Sequence, residues 1–431
     1  MTTTLLNCEV ILSKQIGDYW EGTTTSASGA ITIVDTALIR FPDDWITDVS
    51  YDMVTSGSRS EEERKISHAN SSVSTGTLSV GTHGGSIASG VTYRVHRLFE
   101  ASEKRRALIT AAKNIFPECY DMVWDESLVT GNWLYDGSFE IWDSAGTALS
   151  NWVANTVTVT KTTTNGLFKH GLTSAKLSTA AGTLSQGYTE NDDLKFLAGK
   201  TVRFSVQGHC DTADCLRLVV SDGTTDSFSS YHDGGTAWTE NNLPLEVIAT
   251  IDYNPTEVTF KIVHEVTAAT SYVDDARVIS DYRGRLYIGH LGIHQNRPYR
   301  VEVEPENYSN QEPWIGIHDW EVDEDGYIYF TTQLRSDYRL RIVGPAILDF
   351  LSSGTSSESW SATINLNSPQ TEILAAEAAV YLYTWMSMPN FESGTREDYQ
   401  QMLAYWEDKA RKKKGKYGMP ILPITISWGH E

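Results

Sequence analysis

The sequence predicts a mainly β protein with C-terminal helices: a discontinuous β-plus-helix core with a β-sandwich inserted into it. Three observations carry this. Only 21% of the 431 residues are charged while Gly (32 residues), Ser and Thr are abundant, a balance that favours strands and turns. About ten short strand-like segments fall between residues 135 and 279, with almost no helical periodicity. After residue 368 the pattern changes to two helix-period stretches.

Within residues 1–134, half-alternating segments at 31–34, 45–51, 64–66, 77–80 and 91–97 read as strands of a small barrel or sandwich. A helix follows. Ser102 is its expected N-cap, Glu103 complements the dipole, and Leu108, Ile109, Ala112, Ile115 and Phe116 share one face before Pro117. The other face carries Lys104, Arg105, Arg106 and Lys113 and reads as solvated. In the inserted region, strands at 157–161, 201–206, 216–220 and 258–263 belong to two packed sheets. Residues 280–431 open with strands at 285–288, 299–303 and 338–342. A hairpin pairs 320–322 with 327–330 around Asp323-Glu324-Asp325-Gly326. That acidic turn lacks the twelve-residue spacing of a calcium loop.

Ser368 then caps a helix with Pro369 at its first position. Residues 373–388 hold one charge, Glu377, so this helix is expected inside the domain or at an interface. Thr395 and Asp398 start a second helix with Tyr399, Met402, Leu403 and Trp406 as its stripe and a cationic end from Lys409 to Lys416. Lys412, Lys413 and Lys414 exceed what a helix dipole requires and suit an acidic partner surface or phosphate. The tail that follows has Pro420 and Pro423 among Ile421, Ile424, Ile426 and Trp428. It is apolar enough to need a docking partner and cannot be helical.

Charge excludes some functions. With 34 Lys and Arg against 56 Asp and Glu, the net charge of −22 is incompatible with tight wrapping of nucleic acid. Four cysteines are too few for a disulfide scaffold, and His209, Cys210 and Cys215 lack zinc-site spacing. The first residues carry no secretory-signal pattern, and no segment approaches 18 consecutive apolar residues. Nucleophile-elbow, phosphate-loop and His-Glu-x-x-His motifs are missing. Acidic neighbours such as Asp43/Asp44, Glu61–Glu63 and Asp274/Asp275 do not by adjacency make a catalytic pair. No catalytic residue is expected, and the chain is read as non-enzymatic.

The middle segment resembles carbohydrate-binding modules of the family 4/9 type. The carriers are Tyr135-Asp-Gly-Ser-Phe139-Glu140, Trp152, Gly171-x-x-Ser174-Ala175-x-Leu177 and Ser271-Tyr272-Val273-Asp274-Asp275-Ala-Arg-Val278. The resemblance implies a jelly-roll sandwich, often with a structural calcium near the positions matching Glu140 and Asp275. Trp142 and Tyr231, with His232 beside the latter, are the aromatics that would stack on sugar or else pack. Trp152 and Trp238 are expected in the core.

The flanks look like tailed-phage virion proteins. This rests on Tyr19-Trp20-Glu-Gly, Phe41-Pro-Asp-Asp44-Trp45, Thr55-Ser-Gly57 with Glu63-Arg64-Lys-Ile66, Ser89-Gly90-x-x-Tyr93-x-Val95-His96-Arg97 and the Lys104-Arg105-Arg106-Ala107-Leu108 helix. The C-terminal helices and tail are similar to head–tail connector (adaptor) proteins. That likeness implies a virion location, after assembly in the host cytoplasm. Its partners would be the portal and other neck or tail proteins, within a homo-oligomeric ring of about twelve subunits past which DNA slides without specific binding. No membrane is involved. Two rivals stand beside it. One is a tail-fibre or decoration protein binding glycans through the sandwich. The other is a secreted polysaccharide hydrolase, disfavoured by the missing signal pattern and catalytic pair.

Overall fold

The computed structural model describes residues 2–143, 145–235, 238, 244–281, 283–305, 314–352, 354–388 and 396–420. The protein is mainly β with C-terminal helices, and the chain divides into two compact units. One joins residues 2–121 to 347–420, and the other is 122–346. The boundaries at 134 and 280 drawn from the sequence enclose the sandwich alone. In the structure, residues 280–346 share a unit with it.

The first unit opens with a helix where only strands were expected. Helix α1 (Leu5–Ile16) starts where Thr4 accepts a hydrogen bond from Asn7 N (3.2 Å) and stops at Gly17, whose φ of 75° suits glycine. Its buried side holds Leu5, Cys8 and Leu12 but also Glu9 and Ser13, which blurred the apolar stripe. Residues 45–51 also differ from expectation. Trp45–Asp48 forms a single helical turn, α2, and the strand is Tyr51–Val54. Trp45 stacks on Phe41 at 4.5 Å and meets Trp20 edge-on at 5.6 Å, so aromatic packing overrides the local alternation. The other expected strands stand in one six-stranded sheet. Its order is Trp20–Thr23, Thr92–His96, Tyr51–Val54, Glu63–Ser72, Thr77–Val80, Thr32–Val34.

Helix α3 (Ala101–Asn114) is capped by Glu100 in a capping box with Glu103, not by Ser102. Leu108, Ala112 and Ile115 face the core as expected. Lys104 is a correction: instead of standing in solvent it is fully buried. Helix α4 (Gln370–Met386) takes Pro369 as its N-cap, so neither Ser368 nor Pro369 has the place assigned from the sequence. It packs against α1, α3 and α5 (Arg396–Tyr417), while Tyr381, Trp385 and, just beyond it, Met388 remain exposed. Pro389, Thr395, Ile421, Ile424, Ile426 and Trp428 lie outside the described residues.

The second unit contains the sandwich, built from ten strands in two five-stranded antiparallel sheets among the described residues. The first sheet runs Asp226–Phe228, Leu216–Ser221, Thr259–His264, Gly182–Gln186, Val153–Asn155. The second runs Thr158–Thr162, Ser174–Ser178, Ser271–Ile279, Thr201–Cys210, Leu245–Thr250. Alternate residues point inward: Leu216, Leu218 and Val220 on one strand, Phe260 and Ile262 on the next, Val202, Phe204 and Val206 opposite. Phe204 and Phe260 meet across the core at 5.3 Å. A bulge at Asp275 (φ 53°) inserts one residue, so Val273 and Ala276 are both in the core despite their odd spacing. Two small sheets complete this unit. In one, the expected hairpin turns as read: Asp323 accepts from Tyr327 N (2.7 Å) and Gly326 takes φ 84°.

Candidate functional site

The two outer faces of the sandwich differ in how much is open. On the second sheet, Arg203 and Arg277 point outward and both pair with Asp337 from the later part of the unit. Asp274 accepts from Lys169 N (2.6 Å) and His170 N (2.9 Å), which ties the preceding loop across the same face. His209 is met edge-on by Trp238 and Tyr272, both at 5.6 Å and half-buried, so Trp238 lies on this outer face and not in the core. Trp152 is in the core as expected.

The first sheet presents an open face. Strand register lines up Val153, Ser185, Lys261, Val219 and Phe228 in one row, and Asn155, Thr183, Val263 and Arg217 in the next. Arg217 lies over two rings, 4.7 Å from the Phe228 centroid and 5.0 Å from that of Tyr231. These rings are 51% and 43% exposed. Arg217 Nε and Glu265 Oε1 stand 2.7 Å apart as an ion pair.

The sequence-based sugar residues separate on this geometry. Tyr231 is in the exposed pair. Trp142 is not a platform: its indole packs on the sandwich core, with Nε1 donating to Phe139 O (2.6 Å). His232 is 2% exposed; its Nδ1 accepts from Gly234 N (3.0 Å) and its Nε2 faces Gly208 O (3.3 Å), so it holds a turn. Phe228 and Arg217 were missed. Arg217 interrupts the apolar run at 216–220 with the parity of an outward residue, which is the signal that marks it.

Glu140 and Asp275, the residues put forward for calcium, are each engaged by donors of the protein. Glu140 Oε1 accepts from Leu172 N (2.7 Å) and Thr173 N (3.0 Å). Asp275 takes Arg277 Nε at 2.7 Å and faces His170 Nε2 at 3.5 Å. Both carboxylates therefore already accept from N–H groups of the protein. Among the described residues no group of three or more His, Cys, Asp or Glu side chains is placed to hold a metal ion. Of the cationic trio, Lys413 pairs with Glu372 (2.7 Å) and Lys414 with Glu377 (3.2 Å). Lys412 meets Asp408 while staying 75% exposed. Two of the three are thus committed within their own unit.

Burial pushes Asp136 and Glu140 up to about 7, assisted by repulsion from Asp125. A carboxyl whose folded pKa exceeds its unfolded one stabilises the fold at low pH, and that contribution is lost as pH rises through about 7. Glu140→Gln removes the loss. The variant should therefore gain melting temperature relative to the unaltered protein between pH 5 and pH 8. His170 and His290, pushed down to about 4 by burial, titrate in the opposite sense and cancel in this difference. A pH-independent difference would refute the assignment.

No protein-family model matches the chain, and no curated protein matches it. Among solved structures it is similar to a family 61 carbohydrate-binding module in complex with β-1,4-galactotriose (17% identity, 35% of this chain, 99% of that one, TM-score 0.27). It is also similar to the CBM22-1 xylan-binding domain of Paenibacillus barcinonensis Xyn10C (13% identity, 38% and 97% covered, TM-score 0.26). A third is the enzymatically active domain of bacteriophage CBA120 tailspike protein 4 (12% identity, 35% and 21% covered, TM-score 0.27). With scores this low the sandwich stands on its own strand order and core.

Proposed function

We propose that the second unit is a non-catalytic glycan-binding module whose platform is the outer face of the first sheet. The observation that carries this reading is the exposed Phe228–Arg217–Tyr231 cluster. Sugar recognition needs apolar ring faces for the C–H sides of a pyranose, with fixed donors and acceptors beside them for its hydroxyls. Arg217, Ser185, Thr183 and Asn155 supply the polar groups on the same face. In a phage particle such a module suits a tail-fibre or decoration protein that grips host or environmental polysaccharide.

The test is binding of the full chain to a panel of soluble polysaccharides, compared with Phe228→Ala/Tyr231→Ala. Removing two stacking rings is expected to weaken binding at least about tenfold, since aromatic contacts contribute roughly 1 kcal/mol or more beyond area. Equal binding by the variant would move the site elsewhere on the chain.

A second reading, assembly into a head–tail connector ring, draws on the first unit. Tyr381, Trp385 and Met388 on the α4 side, with Met402 and Tyr405 on α5, are 36–54% exposed. Apolar exposure of this extent marks interaction surfaces. Native mass measurement should then find an oligomer that Trp385→Ser/Tyr405→Ser dissociates. A monomer at every concentration would remove this support.

A further inference from the structure

We infer that the ligand of the open sheet face is an anionic polysaccharide, one with carboxylate or sulfate groups on its sugars. This rests on the glycan reading above and adds its charge.

The argument begins with donors that have no use within the protein. Arg217 forms an ion pair with Glu265 (Nε to Oε1, 2.7 Å), and none of its N–H groups has a hydrogen-bond partner among the described residues. A guanidinium gives up its hydration more easily than an ammonium, and a planar fork lying over two rings is preorganised for two parallel bonds to a carboxylate or sulfate. Lys261 is on the adjacent strand. Val219 is its register partner and Val263 is that of Arg217, so the two cations are diagonal neighbours on one face. Lys261 is half-buried and has no ion-pair partner among the described residues.

The distribution of acids points the same way. The two central rows hold no carboxylate: their members are Val153, Ser185, Lys261, Val219, Phe228, Asn155, Thr183, Val263 and Arg217. The acids of this face stand at its ends, Glu265 beyond Val263 and Asp226 opposite Ser221. In a chain of net charge −22, the two central rows carry Arg217, ion-paired at its edge to Glu265, and Lys261, with no ion pair among the described residues. With no acid in those rows, the face departs from the surrounding charge. A neutral sugar would leave the Nη donors and the ammonium competing only for hydroxyls. An anionic one pairs with both, and the aromatic pair holds the ring next to them.

The discriminating experiment uses the full chain and four probes: polygalacturonate, its methyl ester, dextran sulfate and neutral dextran. Titration calorimetry or affinity electrophoresis reads the affinities. We expect polygalacturonate to bind at least tenfold more tightly than its methyl ester, or dextran sulfate at least tenfold more tightly than dextran. The pair that shows the preference identifies carboxylate or sulfate as the source. Lys261→Met should cut that preference at least fivefold with an unchanged melting temperature, and Lys261→Gln serves if the methionine variant folds poorly. Tyr231→Ala should weaken binding of whichever polymer binds.

The two levels fail separately. Equal affinity for charged and neutral polymers, with Tyr231→Ala still weakening both, would overturn the anionic inference and keep the glycan reading. A preference for the anionic polymer that Lys261→Met leaves intact would overturn it as well, because the charge would then be read elsewhere. Binding that survives Tyr231→Ala would move the site elsewhere on the chain and overturn the anionic inference with this platform. No binding to any of the four would overturn the anionic inference and leave the glycan reading to the wider polysaccharide panel.

Discussion

Replacing Lys104 with methionine will destabilise the first unit by about 3–5 kcal/mol, the cost of breaking a buried ion pair from one side. The side chain is fully buried. Its Nζ lies 2.9 Å from Asp18 Oδ2, 2.9 Å from Ser13 Oγ, 2.9 Å from His96 Nδ1 and 3.9 Å from Glu9 Oε1. Asp18 in turn accepts from the backbone N–H groups of Arg97, Leu98 and Phe99, which fixes the chain as it enters α3. Burial alone would raise the Asp18 carboxyl. Lys104 and then His96 outweigh it and keep it below its ordinary range. Methionine fills the space of the stem and leaves Asp18 without its main counter-charge. Arg94 still serves Glu9 at 2.8 Å, so the loss concentrates on Asp18. Chemical denaturation measures the effect, and Lys104→Met/Asp18→Asn should recover a large share of it. A single-variant loss under about 1 kcal/mol would mean water reaches this cluster and the network is not what holds α1 to α3.

Arg277→Met should cost the second unit a similar amount, again about 3–5 kcal/mol. Arg277 reaches Asp275 (Nε to Oδ1, 2.7 Å) and Asp337 (Nη1 to Oδ1, 2.8 Å). Asp337 keeps a second partner in Arg203, whereas Asp275 is 5% exposed and held in the bulge, so it cannot turn to solvent. Burial pushes the Asp275 carboxyl up, and Arg277 more than offsets this. The nearest substitute charge is His170. Its Nδ1 faces the Arg339 guanidinium at 2.8 Å, and burial and that cation keep the ring neutral. Thermal melting should show the loss, and Arg277→Met/Asp275→Asn should restore more than half. In the unaltered protein, millimolar calcium or a chelator should leave the melting temperature unmoved. A rise with calcium would contradict the donor arrangement around Glu140 and Asp275.

What was legible in the sequence was local. The sandwich strands could be read because inward and outward residues alternate, as at Leu216–Ser221 and Thr259–His264, and a period of two needs no knowledge of the partner strand. The hairpin at Asp323–Gly326 was legible for the same reason: its Asp and Gly satisfy the turn within a few residues. Helix α1 was not. Two of its buried positions are Glu9 and Ser13, acceptable inside only because Lys104 and Arg94 arrive from 85 or more residues away. Lys104 looked like a solvated cation for the same reason.

The candidate site divides along this line. Tyr231, Trp142 and His232 were equivalent in the sequence as polar-edged aromatics near strands. The tertiary structure placed the first in solvent beside Phe228 and Arg217, packed the second on the core and used the third to brace a turn. The sequence by itself determined which residues alternate, cap and turn. Only the packed sheets decided which rings stay exposed and which charges find partners, because burial and ion pairing depend on contacts between segments that the chain order does not place together.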